Sequence, residues 1–483
     1  MKRYPLYIAL VTTLSISSCS KELNQEPSIY RTAEIAITTL DDLEKAVNGA
    51  YSPLSSYRYS YSSEVALYAD ARGGDITATS LGYNQTLALH RLSTDRTSDF
   101  SQGTYQTFTA VLGRVNDVLS KAPAVKGTLP NNPVYQAYYE DLLGQLYTLR
   151  ALAHFELARI FCYLPIAGVN QDAPNSGIPL NVEVYPEGYA FKRSTLKETY
   201  AQIISDFKKA LETLSKDEQT NSGKINYWAA EALLSRVYLY QADWQNAYRL
   251  AVDVISNSPY KLYPRSEYVG AWRQQGSSES LFEVLTTEKS NTGLNSIGNY
   301  TRPTGYPEFA GSSSFISWFK SGHDGDIRTN LITEQADPQG GNKGYYSLKY
   351  RGRTGSSNPT AINNFKVIRL SEVYLIASEA QLQGATATGS HTALELYNTL
   401  RKHRISPYTA ATSVTLDNLL DERRLELFCE GHRLFDLIRN QRNVPTEYLP
   451  GVTEVDYLNE RLVSELPERE YNINPSLEVK AAK

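Results

Sequence analysis

Cysteine is nearly missing from this chain: three occur in 483 residues, at positions 19, 162 and 429. A disulfide-stapled scaffold needs more than that, so Cys162 and Cys429, each inside an apolar helical segment, read as unpaired core thiols acting as small hydrophobes. Histidine is scarce too, with six scattered copies, which leaves acid–base machinery little to draw on. The sequence has no GxSxG, no Walker-type phosphate loop, no Rossmann glycine triplet, no HExxH and no CxxC. Neither sign of charge prevails, with 48 Lys and Arg against 52 Asp and Glu, so the basic footprint of a nucleic-acid binder is absent. Beyond the first twenty residues no run approaches the roughly twenty apolar residues of a membrane-spanning helix. These absences point away from an enzyme, a cofactor and a metal.

What is present begins at the N-terminus. Lys2 and Arg3 precede a short apolar run, Tyr4 to Ile16, and small serines lead into Cys19, the layout of a secretory signal. Ending on cysteine, this segment resembles the lipobox of bacterial lipoproteins. That resemblance implies cleavage after residue 18 and acyl chains on Cys19, which would anchor the mature chain to a membrane surface without spanning it. Residues 19–36 are polar and aperiodic and read as a flexible tether. Residues 37–483 are apolar enough, at 41% over the whole chain, to form one large domain.

Within that domain the helical period dominates. Thr39 caps a helix carrying Leu43, Ala46, Val47, Ala50 and Tyr51 at helical spacing. The Tyr/Ser/Gly-rich stretch after it, from YSPLSSYRYSYSSE to LGYNQ, has weak periodicity and reads as loop-rich with short strands. Leu142, Leu146, Leu149, Ala153, Leu157 and Ile160 form one apolar stripe, and Tyr200, Ile203, Ile204, Phe207, Leu211 and Leu214 another. Ala230 to Tyr238 and Ala247 to Ile255 then predict two helices folded back across a QADW turn. Small alanines at the contact positions make the pair resemble a tetratricopeptide unit, and a second pair recurs at Val373–Ala380 and Ala393–Leu400. Between them lies an irregular insertion of about 258–364, rich in Gly, Ser, Asn, Pro and Tyr, of the length usually kept for function. The fold expected is mostly α: tetratricopeptide-like helical pairs forming a superhelical scaffold, decorated with long loop-rich insertions and a few short strands.

Two motifs invite chemistry. In LLDERRLELFCEGHRLFDLIRN, residues 419–440, the spacing predicts one helix with Gly431 on its apolar face. The charge pairs expected along its flanks are Arg423–Glu426, Glu430–Arg433 and Asp436–Arg439. Glu430 and His432 are two apart and diverge on a helix, so a buried ionic lock accounts for the stretch better than a metal or a catalytic pair. In SGHDGDIRTN, His323, Asp324 and Asp326 lack the later Glu of a calcium loop, and a turn capped by Asp with Arg328 in an ion pair is the reading preferred.

Taken together, ERRLELFCEGHRLFDLIR, SEVYLIASEAQ, LPEREYNINPSL, the early LEKAVNGAY helix and the lipobox resemble the SusD/RagB family of outer-membrane nutrient-binding lipoproteins, over essentially the whole mature chain. The tail EVKAAK departs from the family pattern. The resemblance implies four tetratricopeptide-like pairs, a lipid anchor on the outer surface of the outer membrane, and a SusC-like TonB-dependent transporter as partner. It also implies oligosaccharide or peptide ligands and no catalysis. A lipid-anchored tetratricopeptide scaffold binding only proteins is the alternative of another class; a surface hydrolase is the third.

The family's ligand contacts lie in variable loops, so no motif carries them to this chain. Tyrosine is abundant, 36 against 13 Phe and 4 Trp, and suits half-exposed binding surfaces. Rings in polar loops have less core to enter. On that ground the ligand surface is expected on the N-terminal loop section and the insertion, at Tyr83, Arg72, Trp272, Tyr300, Tyr306 and Tyr345, with Trp272 foremost because GAWRQQGSSES gives it little apolar cover.

Overall fold

The computed structural model describes residues 37–79, 84–165, 168–216, 223–304, 306–336 and 343–477. Cys19, the signal segment, the tether and Tyr83 lie outside the described residues.

Helix α1 (Leu40–Tyr51) starts at a capping box in which Thr39 and Asp42 serve each other's backbone N–H groups. After α2 (Glu64–Arg72) the scaffold proper follows as α3 (Asp99–Lys126), α4 (Pro133–Phe161), α5 (Leu196–Thr213), α6 (Tyr227–Tyr240) and α7 (Trp244–Asn257). Each of α3 to α7 packs on the next, and α7 passes the stack on to α9 (Leu370–Leu382) and α10 (Ala393–Lys402). The expected apolar positions are those that bury, including Leu146, Ile203, Val237, Ala251, Val373 and Leu400, all at 0% exposure. Both predicted helical pairs are present, and the mostly α, tetratricopeptide-like architecture stands. Helix α6 goes further than its stripe, since all its residues are buried; a helix apolar nearly all round belongs in a core. Cys162 and Cys429 are buried and unpaired.

Among the described residues the strands form two-stranded antiparallel ribbons only. Strand β1 (Ile76–Ala78) pairs with β3 (Phe309–Gly311), and β2 (Ser280–Val284) with β6 (Phe365–Arg369). Strand β4 (Ile332–Ala336) pairs with β5 (Lys343–Ser347), and β7 (Val444–Leu449) with β8 (Val452–Val455). The β2–β6 ribbon is wholly buried and β6 runs straight into α9, so most of the insertion is an excursion closed at its base. The excursion also carries α8 (Ser313–Lys320).

Two expectations are corrected here. Residues 64–72, read as part of a loop-rich section, form a helix buried at every position. Asp70 in it accepts from the Cys429 and Gly431 N–H groups at 3.1 and 2.6 Å. Residues 419–440 are not one helix but two, α11 (Leu416–Leu427) and α12 (Arg433–Arg439). The break occurs because Cys429 and Gly431 take positive φ, +59° and +79°, which an α-helix does not allow. Gly431 therefore sits in a turn, where a Cβ would stand 3.0 Å from the Ala66 carbonyl oxygen.

The break also re-deals the charge pairs. Asp436 meets Arg439 as expected at 2.7 Å, but Arg423 turns to Asp436 at 2.8 Å, Glu430 to Lys349 at 2.6 Å and Arg369 at 2.7 Å, and Arg433 to Asp75 at 3.6 Å. Glu426 is shared by Arg369, Arg328 and Arg404 at 2.6 to 3.1 Å. All these groups except Arg433 are nearly or fully excluded from solvent, so the lock is a charged core in which each ion is held by several others.

Candidate ligand-binding site

An open cleft bordered by half-exposed aromatic rings and polar side chains lies where the chain between α1 and α2 crosses the start of α3. Pro53 to Ser56 make one helical turn; Tyr57, Arg58 and Tyr59 then run half-exposed over α3 before the chain dives into α2. Gly103 on α3 explains why a ring can lie there. A Cβ at that position would fall 1.8 Å from the Tyr59 ring, so only glycine lets the aromatic plane rest on the helix. Phe100 supports the ring edge-on at 6.2 Å, and the Arg58 guanidinium covers its face at 4.8 Å.

Together Tyr57, Arg58, Tyr59, Asp99, Gln102 and Gln106 border a cleft of about 500 Å³. Behind the cleft lies a buried polar network that Arg58 enters and that reaches the insertion. Arg58 Nη2 donates to Gln85 Oε1 at 2.8 Å and to Glu64 Oε1 at 3.4 Å, while the Tyr300 hydroxyl donates to Glu64 Oε1 and Asn295 Oδ1 at 3.2 Å each. A backbone and a side-chain bond lock the two segments together, with Ile297 N–H donating to Ser62 O at 2.8 Å and the Ser63 hydroxyl to Asn295 O at 2.5 Å. Arg58 Nε and Glu64 Oε2 are buried with no hydrogen-bond partner among the described residues. A spare donor and a spare acceptor thus lie in the network behind the cleft. Burial pushes the Glu64 carboxyl up to about 8, with Arg58 pulling the other way, so near neutrality it carries a proton and can donate as well as accept. A ring platform flanked by a planar guanidinium, a carboxyl and amides suits a ligand with flat apolar faces and many hydroxyls.

The residues singled out from sequence are not gathered in one place. Tyr300 belongs to the buried network behind the cleft, bonded to Glu64; it does not face solvent. Trp272, expected to be the most exposed, is 7% exposed. Its indole lies over Lys349 and Arg369 at 4.4 and 5.3 Å, so the cover it lacks in sequence comes from the cations of the charged core. Arg72 is also buried, bonded to Thr94. The expectation of solvent-facing side chains is corrected at these three positions. Tyr306 and Tyr345 are half-buried; Tyr345 is pinned on the β4–β5 ribbon by its bond to Glu334 at 2.9 Å and by Lys320 at 4.1 Å from its ring. Sequence reasoning passed over Tyr57, Arg58 and Tyr59, because what seats the Tyr59 ring is Gly103, more than forty positions away.

Among the described residues no group of three His, Cys, Asp or Glu is placed to hold a metal. Asp326 caps its turn and pairs with Arg328 at 2.7 Å, as the sequence suggested.

Two family models match this chain: "SusD family" over residues 314–474 and "Starch-binding associating with outer membrane" over residues 129–239. The first covers the charged core, the second the α4–α6 scaffold. A SusD-like protein P2 from Formosa agariphila is 25% identical over 487 residues, spanning 91% of each chain. A SusD superfamily protein from Bacteroides vulgatus superposes with a TM-score of 0.81 at 28% identity, covering 92% of this chain and 99% of its own. A SusD-like carbohydrate binding protein from the same species shares the fold, with a TM-score of 0.77 at 22% identity over 92% and 99% of the two chains. With the fold, the helical pairs and both family models in agreement, the chain belongs to the SusD/RagB family.

Proposed function

We propose that this protein is a cell-surface lipoprotein that captures oligosaccharides and passes them to a SusC-like TonB-dependent transporter in the outer membrane. The observation that carries the reading is the Tyr57–Arg58–Tyr59 cleft: half-exposed rings to pack on sugar rings, with Arg58, Asp99, Gln102 and Gln106 beside them to meet hydroxyls. The description "starch-binding associating with outer membrane" and the carbohydrate binding named for one structural neighbour support a glycan ligand and the outer membrane as its setting. In this reading residues 1–18 are the signal, 19–36 the tether bearing acyl chains on Cys19, and 37–483 one binding domain that releases its ligand unchanged.

Calorimetry with a panel of starch and β-glucan oligosaccharides, and a peptide as comparison, tests the site. Tyr59→Ala and Arg58→Ala should each weaken binding several-fold, since losing a stacked ring forfeits about 0.5–1.5 kcal/mol beyond buried area. Undiminished affinity in both variants would move the site elsewhere, and binding of the peptide alone would change the ligand class. For the anchor, Cys19→Ala should abolish incorporation of labelled fatty acid and release the protein from membranes.

A further inference from the structure

A second cleft, of about 260 Å³, opens on the other side of the start of α3, between the turn at Thr94 and the C-terminal segment around Ser464. Its depth is cationic. Arg193 lines it, 7% exposed, with Nε donating to Gly177 O at 2.8 Å and Nη2 to Phe161 O at 3.2 Å. Behind the wall lies Arg72, 1% exposed, with Nη1 donating to Thr94 Oγ1 at 2.9 Å and Nη2 to the Arg461 carbonyl, while its Nε has no partner. Among the described residues neither guanidinium has a carboxylate within ion-pair distance, whereas the other fully buried arginines of this protein are each paired with one or more.

The contrast is informative because a buried, uncompensated charge is strongly disfavoured. Stacking on Tyr68 at 5.0 Å offsets only part of that for Arg72, and burial pulls its affinity for a proton down. Between Arg72 and the open cleft stand the Thr94 and Ser464 hydroxyls, 2.7 Å apart, with Tyr68 3.0 Å from Ser464. Three carboxylates line the cleft at its rim: Asp95 and Glu460 are exposed, Asp95 accepting from the Thr97 N–H and hydroxyl, and half-buried Glu465 faces Arg96 at 3.5 Å. Charges on an exposed rim are screened by water and salt, and those at the bottom are not.

We infer that this cleft is an oxyanion site, taking a carboxylate or sulfate group against Arg193 and the Thr94 and Ser464 hydroxyls, with Arg72 as the fixed counter-charge behind them. The ligand class is a free oxyanion or an acidic sugar bearing one. This assignment is independent of the Tyr59 cleft.

The test titrates the protein with sodium sulfate, sodium glucuronate and glucose at constant ionic strength set with chloride, read by calorimetry and by the melting temperature. Both anions, or either one, should bind saturably and raise the melting temperature while glucose does neither. Glucuronate binding more tightly than sulfate identifies an acidic sugar as the source, and sulfate binding more tightly a free oxyanion. Arg193→Gln should weaken anion binding at least about tenfold. Because Arg193 also ties two backbone carbonyls, Ser464→Asp provides a second arm: a carboxylate built in beside Thr94 should abolish anion binding. No saturable binding of either anion, or binding undiminished in Ser464→Asp, overturns the assignment.

Discussion

At the scale of single residues, Gly103 and Tyr59 are one device. Gly103→Ala would ordinarily strengthen an exposed helix by up to about 1 kcal/mol, but here the added methyl occupies the ring's seat. The expected outcome is a protein that melts within a few degrees of the parent and binds its oligosaccharide several-fold more weakly, measured by calorimetry on the same preparation. Unchanged affinity would mean the ring is not a ligand platform. Trp272 is the opposite case. Trp272→Ala strips the indole from Lys349 and Arg369 and should cost about 3–5 kcal/mol of stability, read by denaturant unfolding, with affinity at the Tyr59 cleft unaltered. The sequence could not distinguish these two aromatics. Both stand in polar surroundings, and the partners that decide their exposure, a glycine for one and a pair of cations for the other, are remote in the chain.

At the scale of elements, the turn between α11 and α12 decides where the charged core forms. Gly431→Ala forces a Cβ into left-handed backbone, at roughly 1–2 kcal/mol, and towards the Ala66 carbonyl as well. The expected result is a lowered unfolding midpoint together with faster amide exchange in α2, whose Asp70 holds that turn. Glu430→Gln leaves Lys349 and Arg369 short of a counter-charge deep in the protein and should cost about 3–5 kcal/mol, again without loss of ligand affinity; the reverse pattern would make Glu430 a binding residue. The paired helices were legible because their 3.6-residue period is local information, and Leu233, Leu250 and Leu396 declare it within a dozen positions. The ion pairs were not, apart from Asp436–Arg439 and Asp326–Arg328. Nothing near Glu430 in sequence names Lys349, and charged residues on a helix flank ordinarily mean solvent. Periodicity likewise ran straight through 428–432, since no rule of spacing requires Cys429 to take positive φ.

At the scale of the whole molecule, buried titratable groups set a window of pH. Burial holds Glu64, Asp70 and Glu231 at about 8, so they take up protons on folding, and their contribution is lost as pH rises from the ordinary carboxyl range through 8. Burial depresses His90 to about 3 and His154 to about 4; these fold neutral, and stability is lost as pH falls below about 6.5. Burial works against the Glu426 carboxylate too, but Arg404, Arg369 and Arg328 outweigh it and hold its pKa well below the usual range, adding to the loss in acid. The melting temperature should therefore peak near pH 6 and decline on both sides, and Glu64→Gln should flatten the alkaline limb; an unchanged melting temperature from pH 6 to 9 would contradict this. A last consequence comes from the ribbon that closes the insertion. Val284 and Phe365 are partners across the β2–β6 ladder, about 5 Å apart, so the excursion leaves and re-enters the scaffold at a single point, much as a cassette does. Its length can drift freely, because loop closure adds little with each residue. Its charge cannot: Arg328 and Lys349 travel with the cassette, whereas Glu422, Glu426 and Glu430 stay behind in the scaffold. A replacement excursion needs to bring two cations, because a graft lacking them would leave these carboxylates only Arg369, Arg401 and Arg404 and short of counter-charge in the interior.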